Sequence, residues 1–306
     1  MKEQRILFMG TAQFALPSLS KLLDLNQNII GVYSSPPKKA NRGMEITNSP
    51  IINYAQSKSL NFSYPDNLKD ENEVLKIKEL NPDIIIVIAY GLIIPRSILE
   101  IPRIGCFNLH GSLLPRWRGA APIQRAIIEG DNNTGITFMK MNEGLDTGDI
   151  VLSKEINIKI NDNQQSLENK LANLGAESFE EFLELIQEKS DFIKQNNDFA
   201  TYAKKIEKSE TKLDWNEPAE KIIRRINAYS PNPGAWFEFK GKRIKILEAS
   251  LSSQSGKSGT IISDDLIIGC GEQSIQPRKL KKEGKEEVNL NDFLRGNKIE
   301  KGYVIQ

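Results

Sequence analysis

A run of five consecutive β-branched residues, Ile84 to Ile88, stands out in the amino-terminal half of the chain. A strand that is apolar at every position is typical of the centre of a parallel sheet, where both faces are buried. Further strand patterns occur at residues 5–10 and 28–35, and helical patterns such as the one at residues 70–81 alternate with the strands. The alternation predicts an α/β fold with a parallel-rich sheet, in which ligands bind at the carboxyl ends of the strands.

The carboxyl-terminal part of the chain has a different pattern. One short helix is predicted at residues 219–229, and short apolar strands separated by turns follow from residue 234 onward. This patterning is typical of a small β-barrel. The sequence before it is polar and weakly periodic, as in a linker. We therefore expect an α/β domain over residues 1–190, a linker over 191–206 and a β-barrel domain over 207–306.

Composition narrows the classes of protein to consider. The 306 residues carry 41 Lys and Arg against 40 Asp and Glu, so a nucleic acid would have to be held by local basic patches. Two distant cysteines, Cys106 and Cys270, and a single histidine predict neither a disulfide framework nor a zinc site. No apolar run approaches the ~20 residues that span a bilayer, and no signal peptide is evident. We expect a cytoplasmic protein with no membrane partner and no metal.

The single histidine, His110, lies in the segment FNLHG, two residues after Asn108. On a strand this spacing places both side chains on one face and turns Phe107 and Leu109 to the other. An amide donor beside an imidazole is suited to oxyanion stabilisation and proton transfer. A solitary histidine is more often structural, however, so the segment alone leaves both roles open.

A second candidate, Asp146, lies in the glycine-flanked segment GLDTG after a predicted strand. A carboxylate at this position could orient an imidazole, as the third member of a catalytic triad does. Alternatively, Asp146 or the nearby Asp149 only caps a turn.

Six segments occur in the order and at about the spacing found in one enzyme family. They are FMGTAQFA, IAYGLIIP, FNLHGSLLPRWRGAAPIQRAI, GLDTGDI, TYAKKI and LDW. Through these segments, and over essentially its whole length, the sequence resembles the methionyl-tRNA formyltransferases. The resemblance implies a Rossmann-like formyltransferase domain followed by an OB-like β-barrel. It also implies transfer of the formyl group of 10-formyltetrahydrofolate to the α-amino group of initiator methionyl-tRNA, by a monomer without a metal.

The resemblance assigns roles to particular residues. It places the catalytic triad on Asn108, His110 and Asp146. The tetrahydrofolate-binding residues that it implies are Ser112, Leu113, Leu114, Pro115, Ile88 and Tyr90. For the last two, backbone groups would contact the pterin; for the two leucines, packing in the core is an equal alternative.

The resemblance also implies contacts with tRNA. The residues concerned are Lys38, Lys39 and Arg42 in a basic loop at 36–50, Lys204 and Lys205 of TYAKKI, and Lys242 and Arg243 near the carboxyl terminus. The segment MEIT, which begins at Met44, departs from the family, in which basic residues are common there. Ordinary solvated charge would give similar runs. Arg116 and Arg118 flank Trp117 and could either hold a phosphate or order the rim of the site.

Two alternatives remain open at this level. Formyltransferases that act on amino sugars or on glycinamide ribonucleotide share the Asn-x-His pair and the distant aspartate, but the agreement along PRWRGAAPIQ favours the tRNA enzymes. A non-catalytic RNA-binding protein on the same scaffold would not need Asn108, His110 and Asp146 together.

Overall fold

The computed structural model describes residues 4–40, 45–188 and 190–305. The strands are β1 (Arg5–Gly10), β2 (Asn28–Tyr33), β3 (Lys38–Ala40), β4 (Glu45–Thr47), β5 (Phe62–Ser63), β6 (Ile84–Ile88), β7 (Gly105–His110), β8 (Arg118–Gly119), β9 (Asn133–Lys140), β10 (Ile150–Asn157), β11 (Tyr202–Ala203), β12 (Ala235–Phe239), β13 (Lys242–Ser252), β14 (Ile268–Gly269), β15 (Ser274–Lys282) and β16 (Glu287–Asn289). The α-helices are α1 (Leu16–Asp24), α2 (Pro50–Ser57), α3 (Glu71–Leu80), α4 (Arg96–Leu99), α5 (Pro122–Glu129), α6 (Gln164–Glu177), α7 (Phe179–Gln187), α8 (Ala219–Tyr229) and α9 (Leu290–Arg295). Short 3-10 helices occupy Gln13–Ala15, Asn197–Phe199 and Lys208–Thr211.

The main sheet has the strand order β10-β9-β7-β6-β1-β2-β5. β1 pairs in parallel with β2 and β6, and the parallel pairing continues to β5 on one side and to β7 on the other. The chain thus builds outward from β1 and then returns to its other side, so the strand order reverses between β1 and β6. Such a reversal opens a crevice at the carboxyl ends of the two strands, where ligands of doubly wound sheets bind.

The prediction of a central buried strand is confirmed by β6, in which every residue from Ile84 to Ile88 is buried. On one face of the sheet, Val87 belongs to an apolar cluster with Met9 of β1 and Ile77 of α3. On the other face, Phe107 of β7 makes an edge-to-face contact with Phe182 of α7, with ring centroids 5.4 Å apart. Both faces are therefore covered by helices, which explains the unbroken apolar pattern.

A glycine is required at the end of β1. A Cβ atom at Gly10 would lie 2.8 Å from a ring atom of Phe8 and 2.9 Å from the Cβ of Ala15. The missing side chain lets the following 3-10 helix approach the sheet edge closely, and the chain is held there by a hydrogen bond from the Thr11 hydroxyl to the carbonyl oxygen of Tyr90, 2.7 Å long.

Five elements differ from the sequence-based expectation or were not part of it. β9 pairs antiparallel with β7, so the sheet is mixed at this edge. The region 36–50, expected to be a loop, contains the antiparallel pair β3 and β4. β10 and α9 were not predicted. Strand patterns do not encode direction, and β3 and β4 are too short and polar to produce a periodic signal.

The carboxyl-terminal region contains an antiparallel sheet in the order β12-β13-β15-β14, with β16 paired to β15. Its all-β pattern was predicted correctly. Ile244 and Ile246 of β13 and Leu280 of β15 are buried on one face of this sheet. The helix predicted at 219–229 is α8, whose buried side chains include Ile222 and Ile226.

The chain divides into two compact units. The first runs up to Gly119 and includes Thr134–Ile156 and Glu168–Tyr202; the second contains Ala120–Asn133, Asn157–Leu167 and the chain from Ala203 onward. The sequence-based boundaries at 190 and 206 remain a prediction. Among the described residues, none of the helices has the length and apolar character needed to cross a bilayer.

Candidate active site

The end of β7 carries Asn108 and His110 on one face, as the strand period predicts. On the opposite face, Phe107 packs on Phe182, and Leu109 packs on α6 so closely that a side chain at Gly175 would collide with it. These apolar contacts fix the strand and turn its polar residues the other way. Asn108 is partly exposed, and its side chain makes no hydrogen bond with any part of the chain that the structure describes. Its amide is therefore open to a ligand.

The His110 side chain is nearly buried, and a polar atom lies beside each ring nitrogen. Its Nε2 atom lies 2.9 Å from the carbonyl oxygen of Trp117, and its Nδ1 atom lies 3.6 Å from Oδ2 of Asp146. A carbonyl oxygen only accepts hydrogen bonds, so Nε2 must carry a proton. In the neutral imidazole, Nδ1 is then the unprotonated nitrogen, and it faces the carboxylate.

Asp146 is placed by a tight loop between β9 and β10. The Asn142 side chain accepts hydrogen bonds from the backbone of Gly144 and from the Thr147 hydroxyl, while a Cβ at Gly148 would collide with the carbonyl group of Lys140. Asp146 has a φ of 52°, in the left-handed region, which costs a non-glycine residue about 1–2 kcal/mol. The rest of the loop must offset this cost.

The Asp146 carboxylate is bound from the side of β8. Its Oδ2 atom accepts a hydrogen bond from the backbone N–H of Gly119, 2.8 Å long. The carboxylate is thus both a hydrogen-bond acceptor in the structure and the neighbour of His110. The turn-capping interpretation and the catalytic interpretation are compatible, because one oxygen can serve the backbone while the charge acts on the imidazole.

A second set of contacts supports the same loop through Arg118 and Gln195. The guanidinium of Arg118 donates to Oε1 of Gln195, and the Nε2 atom of Gln195 donates to the carbonyl oxygens of Asp146 and Gly148. Sequence reasoning did not single out Gln195, which lies in the polar stretch that was expected to be a linker. No local pattern could have identified it, because its partners are distant in sequence.

The segment Ser112 to Pro115 follows directly after β7. The Ser112 hydroxyl donates to the carbonyl oxygen of Arg116, and the Thr137 hydroxyl of β9 donates to the carbonyl oxygen of Ser112 while accepting from the backbone of Leu114. Leu114 is buried, and Leu113 packs against β9 at Gly135. The side chains of this segment thus stabilise the fold. A ligand could contact mainly the backbone of the segment.

Ile88 and Tyr90 lie at the end of β6, beside the end of β7. Both side chains are buried, and Tyr90 belongs to the apolar cluster beneath α3 and α4. Burial raises the pKa of the Tyr90 phenol above its ordinary range, and the neighbouring Tyr33 and Glu73 raise it further. Any contact of these two residues with a ligand would be made by backbone groups, as the sequence led us to expect.

Comparisons with known proteins identify the family of the chain. Residues 4–183 match the family model for formyl transferase, and residues 205–298 match the model for the formyl transferase carboxyl-terminal domain. The chain belongs to the formyl transferase family. A relative of this formyl transferase, the methionyl-tRNA formyltransferase of Pelagibacter ubique (strain HTCC1062), is 45% identical over 302 residues, which cover 98% of this chain and 97% of the relative.

Solved structures share the fold of the formyl transferase at low sequence identity. HypX from Aquifex aeolicus, in complex with tetrahydrofolic acid, has a TM-score of 0.65 and 18% identity over 96% of this chain; the match spans 47% of HypX, about half its length. WlaRD, a sugar 3N-formyl transferase solved in the presence of dTDP and 5-N-formyl-THF, has a TM-score of 0.64 and 18% identity, covering 94% of this chain and all of WlaRD.

The basic residues that the sequence proposed for tRNA fall into separate groups. Lys38 of β3 is exposed; the side chain of Lys39 and the whole of Arg42 lie outside the described residues. Lys204 and Lys205 are exposed in the second unit of the formyl transferase, where their carbonyl oxygens accept hydrogen bonds from Arg125.

Lys242 and Arg243 lie at the start of β13. The sequence also shows basic runs at 240–245 and 278–285, and the structure brings residues of both runs together. Arg243 stacks on Trp236 of β12 at 4.0 Å. Lys245, opposite Trp236, is aligned with Lys281 of β15. Burial lowers the pKa of Lys245, and the charges of Lys281 and Arg243 lower it further. We call Trp236, Arg243, Lys245 and Lys281 the basic face. The signal that could have revealed the basic face is the alternation of basic and apolar residues along β13 and β15, once the register of the two strands is known.

The described part of the formyl transferase holds no group of three or more His, Cys, Asp or Glu side chains arranged to bind a metal ion. The Cys106 thiol, next to Phe107 on β7, is buried, and burial raises its pKa to about 12. A thiol in this state is a poor nucleophile, so the chemistry of the site is best sought in Asn108, His110 and Asp146.

Proposed function

We propose that this formyl transferase moves the formyl group of 10-formyltetrahydrofolate to the α-amino group of initiator methionyl-tRNA, for translation initiation. The observation that carries the proposal is 45% identity along nearly the whole chain to a methionyl-tRNA formyltransferase, including the carboxyl-terminal domain. The catalytic candidates lie at the carboxyl end of β7, next to the reversal point of the sheet, where this fold class binds its ligands.

In the first step, the uncharged amine of methionyl-tRNA attacks the formyl carbon. A C–N bond forms, the carbonyl π electrons move to oxygen, and a tetrahedral intermediate carries the negative charge. The Asn108 amide, which has no hydrogen-bond partner among the described residues, donates a hydrogen bond to this oxygen. Donors that meet a developing oxyanion are worth about 10²–10³-fold in rate each.

His110 handles the proton. Its Nδ1 atom is the unprotonated nitrogen, so it accepts the proton that the attacking nitrogen loses. The resulting imidazolium is stabilised by the Asp146 carboxylate, whose Oδ2 atom lies 3.6 Å from Nδ1. When the intermediate collapses, the bond from carbon to N10 breaks and His110 returns the proton to N10. The products are formylmethionyl-tRNA and tetrahydrofolate, and His110 and Asp146 are regenerated.

The folate co-substrate is proposed to bind along the segment Ser112 to Pro115 and the end of β6 at Ile88 and Tyr90. Backbone groups are the available contacts, because the side chains of Ser112, Leu114 and Tyr90 are buried. HypX was solved in complex with tetrahydrofolic acid, and WlaRD in the presence of 5-N-formyl-THF, which supports a folate-derived donor for this fold.

The tRNA is proposed to be held by the basic face of the second unit, by Lys204 and Lys205, and by the region 36–50. Trp236 stacked with Arg243, beside Lys245 and Lys281, offers phosphate-binding charge and an aromatic surface together. We also propose that the protein acts as a monomer in the cytoplasm, where initiator tRNA is used; sedimentation of the free protein measures the first of these.

A second candidate is formyl transfer to an amino sugar, which the TM-score of 0.64 to WlaRD favours. The test is a formylation assay with 10-formyltetrahydrofolate and three acceptors: initiator methionyl-tRNA, free methionine and a dTDP-linked amino sugar. We expect efficient formylation of methionyl-tRNA alone. Formylation of the amino sugar with a higher kcat/KM than methionyl-tRNA would overturn the proposal in favour of the sugar, and tRNA binding without turnover would indicate a non-catalytic RNA-binding protein.

A further inference from the structure

Arg118 is the largest fully buried side chain among the described residues, with 2% of its surface exposed. Its guanidinium donates to Oε1 of Gln195, from Nε at 3.0 Å and Nη2 at 2.8 Å, and from Nη2 to Oδ1 of Asn197 at 2.9 Å. A buried cation is tolerated only when its hydrogen bonds are made, and here neutral amide oxygens make them. A side chain so deeply buried does not reach a phosphate in solvent, which decides between the two roles that the sequence left open for it.

The contact with Arg118 determines how Gln195 is used. With Oε1 facing a guanidinium, the Nε2 group must point the other way, and it donates to the carbonyl oxygens of Asp146 at 2.9 Å and Gly148 at 2.7 Å. The nearby positive charge polarises the amide and strengthens both of these bonds. Gln195 therefore connects Arg118 by hydrogen bonds to the backbone of the loop in which Asp146 has its left-handed conformation.

The residues on either side of Arg118 bind the same site. The carbonyl oxygen of Trp117 accepts from Nε2 of His110, and the N–H of Gly119 donates to Oδ2 of Asp146. The tripeptide Trp117 to Gly119 thus contacts the His110 imidazole and the Asp146 carboxylate. Through Gln195, it also contacts the backbone of Asp146. All of these residues belong to the first compact unit.

We propose that Arg118 and Gln195 are positioning residues, which hold the Asp146 carboxylate at Nδ1 of His110 during formyl transfer. This inference rests on the proposed function. It extends the site from three side chains to five and gives the polar stretch after residue 190 a role in the chemistry.

The experiment is a double-mutant cycle with Gln195→Ala and Asp146→Ala, measured by steady-state formylation of methionyl-tRNA. Gln195 is chosen because removal of Arg118 would empty a fully buried site. We expect Gln195→Ala to lower kcat by about 10–100-fold with KM for both substrates within about threefold of wild type. In the Asp146→Ala background, the same substitution should lower kcat by less than about twofold, because its effect passes through Asp146.

Two further variants separate positioning from a general loss of stability. Gln195→Glu keeps an oxygen for Arg118 but loses the donor to Asp146 and Gly148, so it should lower kcat at least as much as Gln195→Ala. Asp83→Ala is the matched control: Asp83 binds the backbone of Arg5 and the side chain of Arg103 at the amino ends of β1 and β6, at the opposite edge of the same sheet. It should destabilise the protein and leave kcat unchanged.

Equal losses of kcat from Gln195→Ala in both backgrounds, or full kcat in Gln195→Ala, would overturn the inference. If the wild type formylates methionyl-tRNA and the cycle is additive, only the positioning role fails. If the wild type does not formylate methionyl-tRNA at all, the proposed function fails, and the positioning role fails with it.

Discussion

Nδ1 of His110 lies 3.6 Å from Oδ2 of Asp146, while the other ring nitrogen is bound to the carbonyl oxygen of Trp117. The separation is longer than a hydrogen bond but short enough for an ion pair once the imidazole is protonated. If Nδ1 accepts a proton from the amine, the imidazolium that forms can pair with the carboxylate while Nε2 remains bound to the carbonyl oxygen. This asymmetry between the two ring nitrogens is the basis of the mechanism proposed above.

The first prediction concerns proton transfer by His110. Glutamine in place of His110 can still donate to the Trp117 carbonyl, but it cannot accept and release a proton. We expect His110→Gln to lower kcat by about 10²–10⁴-fold, the usual contribution of general acid–base catalysis. Steady-state formylation of methionyl-tRNA measures kcat. The free energy of unfolding in urea should stay within about 1 kcal/mol of wild type, since the buried hydrogen bond is kept. A kcat within about tenfold of wild type would contradict the role.

The second prediction concerns the basic face. Lys245→Gln and Lys281→Gln should each weaken tRNA binding and reduce the slope of log Kd against log salt by about one, because each removes one phosphate contact. Filter binding over a range of salt concentrations measures the slope. Lys221→Gln is the matched control, because its ammonium already pairs with Glu217 at 2.8 Å. Unchanged slopes for Lys245→Gln and Lys281→Gln would show that the basic face does not bind the tRNA backbone.

The third prediction concerns stability and pH in the second unit. The hydrogen bond from Arg125 lowers the pKa of Glu210 below its ordinary value of 4.5. A carboxyl group with a lowered folded-state pKa stabilises the fold above the unfolded pKa, and this stability is lost as the pH falls through the folded value. The difference in unfolding free energy between wild type and Arg125→Met should thus be full at pH 7 and smaller at pH 3.

Between pH 7 and pH 3, the difference in unfolding free energy between wild type and Arg125→Met should decrease by at most about 1 kcal/mol. Partly exposed ion pairs contribute only about 0.2–1 kcal/mol. Urea denaturation at pH 7, 5 and 3 measures it. The hydrogen bonds from Arg125 to the carbonyl oxygens of Lys204 and Lys205 do not titrate, so part of the difference remains at low pH. A difference that is independent of pH would mean that Glu210 contributes nothing through its charge.

Much of the first unit could be predicted from sequence, because its signals are local. The ends of β1 match the predicted strand at residues 5–10, and α3 falls within the helix predicted at 70–81. The common face of Asn108 and His110 follows from the period of a strand alone. The reaction itself was predicted from the resemblance to a known family. The spacing of Asn108 and His110 alone showed only that catalysis was possible.

What could not be predicted depends on contacts between distant segments. Asp146 meets His110 only because β9 lies beside β7, which brings the loop after β9 close to the imidazole. Gln195 meets Arg118 from a stretch whose polar, aperiodic pattern is typical of a linker, and its function depends entirely on partners elsewhere in the chain. Such contacts arise from tertiary packing and leave no periodic trace in the sequence.

The central claim is that the charge of Asp146 supports proton transfer at His110. Asp146→Asn tests it most directly, because an amide oxygen can still accept from the Gly119 N–H while the negative charge is lost. Steady-state formylation of initiator methionyl-tRNA should show kcat lowered by at least about 100-fold, with an unfolding free energy within about 1 kcal/mol of wild type. A kcat within about threefold of wild type, in a variant that folds normally, would contradict the account.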